Sequence, residues 1–327
     1  LGPGGVGKTR LAIEAARGLT TRFQDGVWLV EFAGVDDAGL VVTEVARVLG
    51  VVERSGEDLP ATLARYLRGR STLLVLDNCE HLKEAVAALI ARILASSPAL
   101  HVLATSRQPL GLKGEVTWRT GPLPIEPSNA AEICDGPRTG ATDAVQLFFD
   151  RAQEAQPSFE VTPEAEALAA EVCRRLAGLP LAIELAAARL HMMSLAHLVE
   201  RLEHEFDLLT DGSTEAVGHH RAMRATLDWS YGLLDPLEQA MFRRLAVFRG
   251  GFTLEFVERF HDVYPAAEGN ALRLLGRLVD TSMVERSTDD RFKMLEPIRH
   301  YGLLMVEEHG EEATAFSAHS LVYCEAF

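Results

Sequence analysis

The first ten residues, LGPGGVGKTR, constrain this chain more than any other stretch. The spacing Gly2-x-x-x-x-Gly7-Lys8-Thr9 is the P-loop pattern: glycines let backbone N–H groups approach phosphate oxygens, Lys8 reaches the outer phosphates, and the Thr9 hydroxyl holds Mg²⁺. The run RLAIEAARGL that follows places Leu11, Ala15 and Leu19 at helical spacing. A glycine loop opening a helix puts free N–H groups and the positive end of the helix dipole against an anion. The bland alternative is a surface Gly-Pro turn with no ligand. Such a loop also needs a buried strand in front of it, and only Leu1 stands there. The numbering is therefore expected to start inside a domain of a longer polypeptide.

A P-loop needs a second acid for Mg²⁺, at the C-terminal end of a neighbouring parallel strand. The sequence offers the strands. VWLVEF (27–32) is a short run of β-formers, LVVTEVARVLG a helix ending in Gly50, ATLARYLRG a second helix, and Leu73–Leu76 a continuous apolar strand of the kind buried on both faces. After the helix LKEAVAALIARILASS, LHVLATSR supplies a further strand. This alternation predicts an α/β domain with a parallel sheet. Asp77 ends LLVL and is the candidate second acid. Arg107, in ATSR, stands at the same sheet edge, where a cation could report whether a γ-phosphate is present.

Length and composition bound the remainder. With 327 residues the chain has room for about two or three domains. Its 47% hydrophobic and 24% charged residues are those of a globular protein. A net charge of −15 repels DNA and anionic membranes, so a nucleic-acid contact would need a local basic patch. Cys79, Cys134, Cys173 and Cys324 show no CxxC spacing, which argues against structural zinc and for a reducing cytosol, each being a small buried hydrophobe. No apolar run approaches the ~18 residues of a membrane helix, since LAIELAAARL is broken by Glu184 and Arg189, and no signal peptide is expected. His219 with His220, and His191 with His197, lack metal-ligand spacing.

GPLPIEPSNAAEICDGPRTGATD reads as a linker. Beyond Asp143 the chain turns helical: AVQLFFDRAQEA, then TPEAEALAAEVCRRLAG with Thr162 as N-cap and Pro163 at the first helical position, then LPLAIELAAARLH. From about His219, helices around RAMRATLDWSYGLL, DPLEQAMFRRLAVF and NALRLLGRLVDTS precede MVERSTDDRFKML, two short strands joined by a polar turn. Three helices followed by a hairpin is the pattern of a winged helix.

Together, GPGGVGKT, LLVLDNCEH, ATSR and GLPLAIELAA, in that order and at these separations, resemble the STAND class of P-loop ATPases of the NB-ARC type, as found in bacterial SARP- and LuxR-type transcriptional regulators. HRAMRATLDWSYGLLDP, FRRLAVFRGGFTLE and RFKMLEPIRHYG are similar to the winged-helix part of those modules. The resemblance implies a nucleotide-binding domain over 1–122 with sheet order 5-1-4-3-2 and its first strand largely absent. A linker over 123–142, a helical domain over 143–217, a winged-helix domain over 218–310 and the start of a C-terminal helical region over 311–327 follow. It implies a cytoplasmic switch that binds ATP or ADP with Mg²⁺, hydrolyses ATP slowly, and opens and self-associates in response, with sensor and effector domains outside these residues. The candidate nucleotide contacts are Gly2, Gly4, Gly5, Val6, Gly7, Lys8, Thr9, Arg10 and Pro180, the last in the GLPL motif near the adenine. Thr9 and Asp77 are the Mg²⁺ residues, and Lys8, Asp77, Glu80 and Arg107 the catalytic candidates, with Arg107 matching the family's sensor arginine.

Two departures from the family stand out. Asp77 is followed by Asn78, which cannot act as a general base, leaving Glu80 as the substitute. Where relatives carry Met-His-Asp, this chain has Met294, Leu295 and Glu296; leucine cannot donate the family's hydrogen bond to ADP, so Arg299 or His300, one turn on, are the candidate replacements. The competing readings are a nucleotide-binding scaffold that does not hydrolyse, and a winged-helix DNA-binding module. The second has little to offer DNA: NALRLLGRLVDTS presents only Arg273 and Arg277, opposed by Asp280.

Overall fold

The computed structural model describes residues 1–53, 58–125, 142–207, 215–264, 269–286 and 290–325. These divide into two compact units, Leu1–Gly121 and Pro122–Phe327. The first unit runs α1 (Lys8–Gly18), β1 (Val27–Glu31), α2 (Val41–Leu49), α3 (Leu59–Leu67), β2 (Thr72–Asp77), α4 (Lys83–Leu94) and β3 (Leu100–Ala104). Local chemistry sets the boundaries. Gly50 ends α2 in the left-handed conformation, and the Asp58 carboxylate caps α3 through the Ala61 amide, with Pro60 in the first turn.

β1, β2 and β3 form a parallel sheet in that order, with β2 central and all six of its residues buried. A strand covered on both faces must be apolar throughout, which is why TLLVLD shows no alternation. Helices lie on both sides. Val41, Val45, Leu63, Leu67, Val86, Ile90 and Ile93 close one core around Val30, Leu74 and Leu76, while Ala12, Ala16 and Phe23 pack on Leu73 and Val75. The register pairs Glu31 with Asp77 and Leu76 with Ala104, so the strand ends Asp77 and Thr105 lie side by side at one edge. The stretch before Gly121 returns to the start of the chain, where the Thr120 amide donates to the Leu1 carbonyl at 2.7 Å. This approach requires glycine next door: a Cβ on Gly2 would lie 2.6 Å from the Thr120 carbonyl oxygen.

The second unit contains α5 (Asp143–Ala155), α6 (Pro163–Arg175), α7 (Pro180–Ala187), α8 (Leu195–Asp207), α9 (Glu215–Gly232), α10 (Pro236–Leu245), β4 (Phe252–Thr253), α11 (Leu254–Val263), α12 (Ala271–Asp280), β5 (Glu285–Arg286), β6 (Arg291–Lys293), α13 (Glu296–Glu308) and α14 (Glu312–Glu325). The short strands form an antiparallel sheet ordered β4-β6-β5. One hydrophobic core runs through the unit from Ala144 to Val322. α8, α11 and β4 go beyond the sequence expectations. The buried stripe of α8, Leu195, Leu198 and Leu202, is interleaved with charged residues, and β4 is only two residues long. The helix read from LPLAIELAAARLH ends sooner than expected, tightening into a 3-10 turn over Ala188–His191. There Arg189 is fully buried; its guanidinium donates to the Ser230 carbonyl and lies over Trp229, and burial pulls it down to about 10.

The cysteine expectation needs one correction. Cys79 and Cys173 are buried thiols, whereas Cys324 is exposed on α14; Cys134 lies outside the described residues, as does most of the linker and the Ser287–Asp289 turn. Among the described residues no cluster of metal-ligating side chains and no helix long and apolar enough to cross a membrane is present.

α13 packs against α10 at Gly302, where a Cβ would sit 2.6 Å from the Ala246 Cβ. Gly302→Ala is therefore expected to destabilise the chain by about 1–3 kcal/mol despite alanine's better helix propensity, because the helices must separate. Urea unfolding of the two proteins measures it.

Candidate phosphate-binding site

α1 begins at Lys8, directly after a loop whose backbone only glycine adopts without strain. Gly5 has φ 77° and Gly7 φ 88°, both left-handed. No side chain caps the eleven-residue helix and no acidic residue lies in its first turn. The first amides of a helix have no partner within it, so this end offers donors to an anion without repelling it. Val6 is buried, so its contribution to such a site is its backbone, while Arg10 is exposed on α1. The Lys8 ammonium folds back to donate to the Pro3 carbonyl at 2.9 Å. Its affinity for a proton is lowered, chiefly by burial and also by nearby Arg107, against the opposing pull of Glu80 and Asp77.

Asp77 closes β2 and is buried, its Oδ1 accepting two hydroxyl donors: Thr9 Oγ1 at 2.7 Å and Thr105 Oγ1 at 2.5 Å. Thr105 Oγ1 in turn accepts the Asn78 amide at 3.0 Å, and the Thr105 carbonyl accepts the Cys79 amide at 3.0 Å. This arrangement ties α1 to the ends of β2 and β3. Thr105 was not among the sequence candidates; the signal was in the register, since a hydroxyl following Ala104 falls beside the residue following Leu76. The Thr9 hydroxyl and Asp77 carboxylate are oxygen donors within hydrogen-bond reach of each other, a set that suits a hard cation such as Mg²⁺.

Glu80 lies beyond the strand end, yet the fold brings it back. Asn78 takes a left-handed conformation (φ 62°, ψ 49°), and a 3-10 turn over Cys79–Leu82 follows. The Glu80 Oε1 thereby meets Arg107 Nε at 3.0 Å, and its Oε2 is buried with no hydrogen-bond partner. Lys8, Thr9, Asp77, Glu80 and Arg107 thus gather at one edge of the first unit.

Pro180 belongs to the second unit, where it opens α7. The turn before it is fixed by Gly178 (φ 64°), whose carbonyl accepts the Leu123 amide at 2.8 Å and whose place a Cβ could not take, the Leu123 carbonyl being 2.3 Å away. Arg299 does not suit the role suggested for it. It is buried, with Nε and Nη2 on Glu296 at 3.0 and 2.8 Å and Nη1 on the Ala246 carbonyl at 3.3 Å, so each of its three nitrogens already donates within the second unit. His300 is exposed on α13.

Comparison with known proteins bears on the family and the fold. The AAA domain family matches residues 1–108. A HTH-type transcriptional regulator of Mycobacterium tuberculosis, Rv0890c, described in its name as putative, is 40% identical over 315 residues, covering 95% of this chain and 34% of its own length. The uncharacterized protein Rv0894 of the same organism is 35% identical over 314 residues, 95% of this chain and 76% of its own. The chain thus spans about a third of the first of these relatives. Among solved structures, a Signal Transduction ATPase with Numerous Domains (STAND) protein with a tetratricopeptide repeat sensor, PH0952 from Pyrococcus horikoshii, superposes with a TM-score of 0.62 at 14% identity, over 99% of this chain and 42% of that one. The chain belongs to the family of Rv0894, and its fold is like that of the STAND protein.

Proposed function

We propose that the chain is an adenine-nucleotide switch: it binds ATP or ADP with Mg²⁺ and hydrolyses ATP slowly. The output is a rearrangement of domains that controls self-association in a cytoplasmic regulator. The observation that carries this reading is the hydrogen-bonded set Thr9–Asp77–Thr105 beside Lys8 and an uncapped helix N-terminus. Phosphates would lie on the amides between Gly2 and Thr9, with Lys8 leaving the Pro3 carbonyl for them. Mg²⁺ would be held by Thr9 and Asp77 and would neutralise charge between the outer phosphates. Arg107 is the candidate contact to a γ-phosphate.

The domain plan is part of the same proposal. The order β1-β2-β3 and the return of residue 120 to Leu1 suit a sheet in which a preceding strand lies between β3 and the 116–120 segment, the family order 5-1-4-3-2. The succession α10, β4, α11, α12, β5, β6 suits a winged helix. Direct DNA binding by α12 is disfavoured, because Arg277 is turned to Glu238 at 3.2 Å and to Asp280 at 3.9 Å. With sensor and effector regions beyond these residues, this segment would act on neighbouring domains.

Purified protein with Mg²⁺ and ATP is expected to release phosphate slowly, and Lys8→Ala to lower ATP affinity by about 10- to 100-fold, as loss of a charged hydrogen bond does. Equal phosphate release from both proteins would favour the scaffold reading. The lowered proton affinity of Lys8 adds a pH effect. A bound polyphosphate stabilises the ammonium, so binding takes up a proton at alkaline pH, where Lys8 in the free protein is partly neutral, and affinity falls as pH rises through that range. Calorimetry in two buffers of different ionisation enthalpy detects the uptake, which Lys8→Ala abolishes.

A further inference from the structure

Three successive backbone amides converge on one side chain in the stretch after β3. The Glu115 carboxylate accepts the Leu110 amide on Oε1 at 3.0 Å and the Gly111 and Leu112 amides on Oε2 at 2.7 and 3.1 Å. Consecutive N–H groups that point the same way form a concave anion seat, and here the chain fills it with its own carboxylate. Burial acts to raise the Glu115 carboxyl, but the three amides, helped by nearby Lys83, outweigh it and hold the group below its ordinary range. The turn is also closed through its backbone: the Glu115 amide donates to the Leu112 carbonyl at 3.1 Å, with Gly111 and Gly114 left-handed at φ 82° and 83°. Leu110 is buried in the core around Leu74 and Leu76, and Leu112 packs against it. Glu115 is thereby hooked to the body of the first unit.

The segment beyond the hook leads to the phosphate loop. Val116, Thr117, Trp118 and Arg119 are all exposed, so burial of their side chains does not set its course. At its far end the Leu1 nitrogen donates to the Trp118 carbonyl at 2.6 Å, the Thr120 amide donates to the Leu1 carbonyl at 2.7 Å, and Gly2 passes so near that a Cβ would lie 2.6 Å from the Thr120 carbonyl oxygen. A shift of residues 118–120 would carry Leu1 and Gly2 with it. Resting on the nucleotide-switch reading above, we infer that Glu115 is a positioning residue for the phosphate loop: the turn it closes sets where residues 118–120 meet Leu1 and Gly2, and so keeps the loop from Gly2 to Gly7 in the shape that receives phosphates. A loop held ready spares the ligand the entropy of ordering it. The benefit falls on the phosphates that ADP and ATP share.

Glu115→Ala is therefore expected to weaken ADP and ATP by the same factor, about tenfold, the scale of a charged hydrogen-bond set felt through one segment. Glu115→Gln keeps the shape but replaces one acceptor oxygen with an NH₂, and its affinities fall between those of the parent and Glu115→Ala. Lys113→Ala, exposed in the same turn, leaves both affinities unchanged. Dissociation constants for the full chain with Mg²⁺ come from displacement of a fluorescent ADP analogue. Phosphate release from prebound ATP in a single turnover keeps its rate in Glu115→Ala, because the residue acts on binding. Hydrogen exchange of the nucleotide-free proteins quickens in peptides covering residues 1–7 and 108–120 of Glu115→Ala and stays as in the parent over β1 and β2. Circular dichroism melting verifies folding of each variant. Unchanged affinities in Glu115→Ala, an altered ratio of ATP to ADP affinity, or exchange quickened throughout the first unit each overturn the inference. A parent that binds neither nucleotide ends the switch reading itself, whereas a parent that binds both, with Glu115→Ala binding as tightly, ends only the role of Glu115.

Discussion

Two hydroxyls on one carboxylate oxygen organise the first unit. Thr9 comes from the first turn of α1, Thr105 follows β3, and both donate to Asp77 at the end of β2. A buried carboxylate must be satisfied, and here its satisfaction fixes the helix N-terminus against the sheet edge. The loop between Gly2 and Gly7 is then held from both ends, by α1 on one side and by the close approach of Thr120 at Gly2 on the other. The loop is shaped before any ligand arrives, which spares a bound anion the entropy of ordering it.

The same edge explains how Glu80 enters. A strand that ended in an ordinary turn would carry residues 79 and 80 away from the site. Asn78 bends the chain in the left-handed region, which asparagine tolerates better than most residues, and the amides of Asn78 and Cys79 are both taken by Thr105. Cys79 then points into the core and Glu80 back toward Arg107. In the second unit, by contrast, charged groups mostly tie helices together: Arg243 holds Glu311 and the Tyr231 hydroxyl, and Arg299 joins Glu296 to Ala246. Those arginines are consumed by structure.

Much of this was legible in the sequence because the signals were local. Leu73–Leu76 could only be a doubly buried strand, Thr162-Pro163 opens a helix through its side chain as expected, and the glycine loop announced its own geometry. Other features depended on neighbours distant in sequence. Thr105 lies 28 residues from Asp77, and its role follows from strand register. Arg299 looked available until Ala246, 53 residues away, claimed one of its donors. β4 is too short to register as a pattern and exists because β6 pairs with it. The exposure of Cys324 reflects which face of α14 meets the core, and the helix's residues show little apolar asymmetry from which to read it.

The central claim is that the amides between Gly2 and Thr9, braced by Asp77, receive nucleotide phosphates. Hydrogen exchange read by mass spectrometry, with and without Mg²⁺ and ADP, tests it at the residues concerned. The account predicts slowed exchange in the peptides covering residues 2–11 and 76–80. Saturating nucleotide that leaves both peptides unchanged, or protects only other parts of the chain, would contradict it.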